Sequence, residues 1–221
     1  MAYKFLDIAS TPSVRAAQVA NGSGALWSDS KRDRTFDRFT EAETAFIAQR
    51  DSFYMATSSE SGWPYVQHRG GPPGVLHVID DRTLAFADFR GNRQYISVGN
   101  LAVDDRAALI LMDYPGRRRL KIYAHVEARN LADDPALAAK LVADGYRARP
   151  ERLLLLHLEA FDWNCPQHIT PRYSEAELEP ALAPMRQRLE QLEAENEALR
   201  DRLAPDGQWD ASAPSTKEIV S

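Results

Sequence analysis

Two short basic-polar stretches carry residue types suited to holding an anion. The first, Gln67-His68-Arg69-Gly70-Gly71, ends a run that reads as a strand and enters a Gly/Pro turn. The second, Asp88-Phe89-Arg90-Gly91-Asn92-Arg93-Gln94, lies where a strand pattern gives way to a helical one. The planar guanidinium of arginine matches phosphate oxygens two at a time. A helix N-terminus adds free N–H groups and the positive end of a dipole, which places Asn92, Arg93 and Gln94 to hold an anion. Gly91 lets backbone approach closely. An exposed arginine beside a turn is usually only solvated, so neither stretch is sufficient by itself.

Other reactive side chains are scattered. Cys165 and His168 stand three apart, but a structural zinc site needs two more ligands and none lies nearby in sequence. Nothing marks Cys165 as a reactive thiol either. His77, His125 and His157 sit inside strand-like runs and read as barrel or interface residues. In Arg117-Arg118-Arg119, at a Pro-Gly turn, at least two of the three are expected to face water.

Three zones position these residues. The first, residues 1–39, holds a short helix with Thr11 as N-cap, Pro12 in its first turn and Asn21-Gly22 as its stop, then a polar surface excursion from Ser23 to Arg38. The second, residues 40–173, opens on a Thr40/Glu43 capping box and a helix from about Glu41 to Arg50. It continues with SFYMATS, WPYVQHR, VLHVI, TLAFAD, AALILMD, LKIYAHVEA and LLLLHLEAFDW, each bounded by Gly, Pro or Asp turn signals. Two helices, about Asn92 to Leu101 and Pro135 to Asp144, interrupt the strands. So many strands with so few helices indicate an α+β fold built on an antiparallel barrel.

The third zone, residues 174–204, repeats in sevens. Leu182, Leu189, Asn196 and Leu203 fall at position a, with Leu178, Met185, Leu192 and Leu199 at d. One Asn at a, with Leu at d, specifies a two-stranded coil. In a parallel pair Arg188 would face Glu193, and Glu195 would face Arg200. Pro180 and Pro184 confine the expected helix to about 184–203, marginal without a dimeric body to anchor it. Residues 205–221 have no periodicity and read as a flexible tail, unless Trp209 docks.

Composition narrows the class. The chain has 221 residues, 44% of them apolar and 27% charged, and a net charge of −5. That length supports a self-sufficient core. Between Ser52 and Asn130, however, there are 10 Lys/Arg against 8 Asp/Glu, so a basic pocket can sit in an acidic chain. A pI near 5.6 argues against nucleic acid as partner. No apolar run approaches the roughly 20 residues of a membrane span. The sequence MAYKFLDIAS does not read as a signal peptide, and a single cysteine suits a reducing compartment, so the expected location is the cytoplasm.

The order of these features resembles the pyridoxamine 5′-phosphate oxidase-like, FMN-binding split-barrel family, over about Ala42 to Arg172. Its phosphate-contacting strand falls on Val66 to Arg69, its aromatic and Ser/Gly-x-Arg/Lys stretch on Phe86 to Gln94, and its flavin-contacting strand on Arg119 to Lys121. The chain departs from the vitamin-making enzyme. Val66 stands at its arginine position, Gly91-Asn92-Arg93 replaces its Ser-Arg-Lys, and its C-terminal Trp and Arg signature is absent in its usual form. These departures keep flavin binding and argue against pyridoxamine phosphate oxidation.

The resemblance implies an α+β split barrel and a homodimeric FMN oxidoreductase passing hydride through flavin N5 to or from a small molecule, with NAD(P)H as a donor to test. It implies that Gln67, Arg69, Asn92, Arg93 and Gln94 hold the phosphate and ribityl chain, while backbone at Val66, Ala87 and Asp88 lines the ring. Arg119 would point at the cofactor, and His68 is the sole acid–base nominee. The segment from Trp163 to Tyr173 either closes over the flavin, bringing Trp163 or His168 to the ring, or is a surface strap leading to the coil. Haem, which would need one of the barrel histidines as ligand, and a deazaflavin are the alternative cofactors. The alternative function is a non-catalytic flavin or haem carrier that recruits a partner through the coil.

Overall fold

A computed structural model describes residues 4–28, 36–143, 145–163 and 166–203. Cys165, Trp209 and the expected tail lie outside the described residues. Two compact units result, Met1–Pro171 and Arg172–Ser221.

In the first unit, α1 (Lys4–Ala9), α2 (Pro12–Ala20), α3 (Gly24–Ser28) and α4 (Glu41–Ala48) precede the strands. Thr11 caps α2 as expected, its hydroxyl accepting from Val14 N. The supposed surface excursion after Ser23 instead begins with α3, started by the Leu26 N–H bonding the Ser23 carbonyl at 3.0 Å. The strands are β1 (Ser52–Ser58), β2 (Pro64–Gly70), β3 (His77–Val78), β4 (Thr83–Phe89), β5 (Arg106–Asp113), β6 (Arg118–Arg129) and β7 (Pro150–Trp163). Between them lie α5 (Ile96–Val103) and α6 (Pro135–Leu141). The strands form one sheet in the order β2-β1-β5-β6-β7-β4-β3, every pair antiparallel. Curled around its core, it is the α+β split barrel.

Burial explains the two sequence styles of the strands. In β5 and β6, buried and more open positions alternate, because one face packs inward. The continuous apolar runs of β4 and β7 are covered on both faces. Leu84, Phe86, Leu154 and Leu156 point into the main core, with Phe53 edge-on to Phe86 at 5.2 Å. Ala85, Ala87, Leu153 and Leu155 point the other way, into a second cluster with Leu141 of α6. A run such as Leu153 to Leu156 is therefore buried twice over.

The outer face of β1, β2, β5 and β6 is different. Tyr54 and Val66 are exposed there, and register sets Ala56 beside both Val66 and Ala108. Phe5 of α1 stacks on Tyr123 at its rim, with centroids 4.4 Å apart.

The second unit contains one long helix, α7 (Glu175–Leu203), of 29 residues. It starts earlier than the prolines suggested. Ser174 accepts from Glu177 N and donates to its carboxylate, a capping arrangement that launches the helix at Glu175. Pro180 and Pro184 are then carried inside it.

The capping box of α4 also ties this helix to the barrel. Thr40 N–H and hydroxyl donate to Glu43 Oε2 at 3.0 and 2.5 Å, while Trp163 Nε1 donates to Oε1 at 2.6 Å. Burial pushes the Glu43 carboxyl up, but these donors outweigh it and hold the group below its usual value of 4.5. A depressed carboxylate pKa stabilises the fold above the unfolded value, and that contribution disappears as pH falls through the folded one. Glu43→Gln should therefore cost about 1–3 kcal/mol at neutral pH. It should also flatten the acid side of the stability–pH curve in urea unfolding. A variant curve parallel to that of the parent would refute this account.

Candidate functional site

Strand alternation on β2 decides which residues of the first basic stretch can act together. Tyr65, Gln67 and Arg69 are half-buried on one face, whereas Pro64, Val66 and His68 are exposed on the other. Arg69 reaches across the barrel and pairs with Asp88 at the end of β4. Arg152, at the start of β7, approaches the other Asp88 oxygen at 3.6 Å. Asp88 is 5% exposed, so one buried carboxylate sits between two guanidinium groups. Arg152 also lies 3.4 Å from Glu151, which Arg90 contacts as well, so three guanidinium groups stand around two carboxylates. Arg69 also lies over the Phe86 ring, 5.6 Å from its centroid, and its Nε is buried without a hydrogen-bond partner.

The second stretch is a turn rather than a helix start. Asn92 Oδ1 accepts from Gln94 N at 3.1 Å, and its amide donates to Gln94 Oε1 at 3.0 Å. Arg93 and Tyr95 both take left-handed backbone conformations, with φ of 61° and 53°. Those angles cannot continue a right-handed helix. Hence α5 starts at Ile96 instead of Asn92 and runs two residues past the expected Leu101. The helix is fastened to the sheet by Ser97, whose hydroxyl donates to Gln67 Oε1 at 3.0 Å, and by Asn100, whose amide donates to Thr57 Oγ1 at 3.0 Å.

These parts enclose a cleft with about 400 Å³ of empty space, much of it open to solvent. Its walls are Tyr65, Gln67 and Arg69 from β2, Asp88 and Phe89 from β4, Gly91 to Tyr95 from the turn, Ile96 to Val98 from α5, and Glu151 from β7. The first-turn N–H groups of α5 have no partner within the helix, so they add donors to this wall. Arg90 Nε lies 3.1 Å from Glu151, which also accepts from the Tyr95 hydroxyl at 3.2 Å. Arg152 stacks over the Tyr95 ring at 5.1 Å. The turn is thus pinned to β7 through Tyr95 and Arg90. The chemistry on offer is anion binding, with guanidinium and backbone donors converging from β2, the turn and the start of α5.

Six of the expected site residues line this cleft together: Gln67, Arg69, Asp88, Asn92, Arg93 and Gln94. The others lie elsewhere in the chain. Val66 and His68 face the outer sheet surface, where His68 meets the edge of the Tyr54 ring at 5.4 Å. The Ala87 side chain is buried in the second core cluster. Trp163 is at the opposite end of β7 from Arg152, hydrogen-bonded to Glu43 and edge-on to Phe46. Arg119 pairs with Met112 in the ladder at that same end, its Nε buried and unpartnered. His168 is exposed with a left-handed φ of 62°.

Sequence reasoning missed Tyr65, Phe89, Tyr95, Ser97, Glu151 and Arg152. The charged Glu151-Arg152 pair just before the four leucines was a visible strand-entry signal, but nothing in its spacing pointed to Asp88. Among the described residues, no group of three or more His, Cys, Asp or Glu side chains is placed to hold a metal ion. No described helix is long and apolar enough to cross a membrane.

The family model described as pyridoxamine 5′-phosphate oxidase matches residues 39–162, more than half of the sequence. The chain belongs to the pyridoxamine 5′-phosphate oxidase family. No curated protein matches it. Among solved structures it is similar to HupZ of Group A Streptococcus, at 16% identity and a TM-score of 0.48, covering 61% of this chain and 99% of that one. It is also similar to an FMN-binding protein from Syntrophomonas wolfei subsp. wolfei, at 15% identity and a TM-score of 0.43, covering 69% and 95%. An F420 reductase matches at 18% identity and a TM-score of 0.42, covering 56% and 98%. The family assignment rests on the sequence match alone.

The buried charge cluster makes a measurable claim. Arg69→Met leaves Asp88 with only the longer Arg152 contact and should cost about 2–4 kcal/mol, because the remaining charge is desolvated. Removing both charges in Arg69→Met/Asp88→Leu should recover part of that loss. Urea unfolding of the two variants checks it, and a double variant no more stable than the single one would refute it.

Proposed function

We propose that this chain is an FMN-dependent oxidoreductase acting on a small molecule as a homodimer in the cytoplasm. The observation that carries the reading is the half-buried Arg69 guanidinium at the cleft, its Nε unpartnered, in a cluster of three arginines around two carboxylates. Such a site is suited to a dianionic phosphate. Arg69 and Arg93 would grip the phosphate, with first-turn N–H groups of α5 completing the cradle. Gln67, Asn92 and Gln94 have the amide groups to meet ribityl hydroxyls. Family membership over residues 39–162 supports the same cofactor class.

Bound FMN supplies the redox chemistry, accepting or donating hydride at N5, while the protein supplies orientation and electrostatics. The apolar outer face around Tyr54, Val66 and Ala108 is suited to a second copy. His68 would then lie at that interface rather than in the phosphate cleft. An acid–base role for it therefore requires the flavin ring to reach across the subunit boundary. The same requirement applies to any contact with the ring by Arg119, Trp163 or His168.

Arg93→Ala tests the cradle. Arg93 is exposed and projects from a turn fixed by Asn92, Tyr95 and Arg90, so its removal should leave the melting temperature nearly unchanged. FMN affinity, followed by quenching of flavin fluorescence, should fall at least about tenfold, or about 1.4 kcal/mol. Unchanged affinity would remove Arg93 from the site. Purified protein should show the two visible bands of an oxidised flavin, bleached by NADH or NADPH. An intense Soret band or a deazaflavin spectrum would overturn the FMN assignment.

A further inference from the structure

The structure adds two facts to the heptad pattern of α7: the helix is continuous from Glu175 to Leu203, and none of its residues is buried. The apolar seam therefore spans all eight a and d positions from Leu178 to Leu203, about 38 Å of helix. Leu182, its least open leucine, is still 37% exposed, and Met185 and Leu203 reach 68% and 70%. An aligned stripe of that kind on a helix of negative mean hydropathy is a surface made to be covered.

Pro180 and Pro184 do not interrupt it, because they fall at heptad positions f and c. Both sit on the side away from the seam, so the backbone bonds they remove face water. We propose that α7 pairs with α7 of a second copy of this chain as a parallel, in-register two-stranded coiled coil.

Charge complementarity points to a second copy but leaves its direction open. In a parallel pair, Arg188 at g meets Glu193 at e of the partner, and Glu195 meets Arg200. Antiparallel pairing in the register that overlaps the whole seam is equally attractive, with Arg188 facing Glu195 and Arg186 facing Glu193. Asn196 breaks the tie. In the parallel pair its amide faces the partner's own Asn196, and each satisfies the other within an apolar seam. In the antiparallel pair it would be buried against the partner's Met185, leaving the amide unpaired at a cost of about 1–3 kcal/mol. This inference does not depend on the flavin reading.

Disulfide trapping in the full chain, with Cys165→Ser as background, tests both the partner and the direction. Leu199→Cys, at d, should link to its own copy under mild diamide oxidation at least about tenfold faster than Gln187→Cys, at f. The two positions share a helix and any crowding imposed by the barrel, so seam geometry alone separates them. Adding Leu189→Glu should abolish the Leu199→Cys link. Equal rates at 199 and 187, or a link that survives Leu189→Glu, would overturn the coil. In the antiparallel pair residue 199 lies beside the partner's Leu182, about 25 Å from its own copy. Linking by Leu182→Cys/Leu199→Cys but not by Leu199→Cys alone would therefore overturn the parallel assignment.

Discussion

A buried carboxylate holds the open seam of this barrel together. In the strand order, β2 forms one edge of the sheet and β4 is next to the other, so no backbone ladder joins them. Arg69 of β2 crosses that gap to Asp88 of β4, and Arg152 of β7 supports the same carboxylate from the neighbouring strand. Arg152 also contacts Glu151, to which Arg90 pairs, so three guanidinium groups around two carboxylates leave one positive charge in excess. The same contact that closes the barrel therefore creates the electrostatic condition for binding an anion. The turn from Arg90 to Tyr95 and the start of α5 are arranged around it.

Strand alternation then divides the labour. On β2, odd-numbered side chains serve the cleft and even-numbered ones form part of the outer apolar sheet face, so neighbouring residues belong to different surfaces. On β4 and β7 both faces are buried, one against the barrel interior and one against α6. The barrel thus presents a polar cleft and an apolar face on opposite sides of a single strand. A cofactor at one and a second subunit at the other would be only one strand apart.

Much of this was legible from residue types. The seven strand segments were visible as β-branched, aromatic and aliphatic runs between turn residues, and the Thr11 and Thr40/Glu43 caps emerged where local chemistry placed them. Gln67, Arg69 and the Asn92 to Gln94 turn stood out by residue type, and they line one cleft. Errors arose where local rules competed. Left-handed backbone at Tyr95 is held by its bond to Glu151 and its stacking under Arg152, contacts invisible along the chain. Pro180 and Pro184 read as helix breakers, yet the Ser174/Glu177 cap and their outward positions let the helix pass through them.

The sequence by itself determined the strand segments, most of the helices and the family, because these depend on side-chain pattern over short stretches. Only the tertiary structure decided which of the candidate residues share a surface. It joined Arg69 to Asp88 and Arg152 across 83 residues of chain, and it parted Arg69 from His68, its immediate neighbour. The physical reason is that pleating sends adjacent side chains to opposite faces, while closure of the sheet brings distant strand ends together. Neither effect leaves a trace in local spacing.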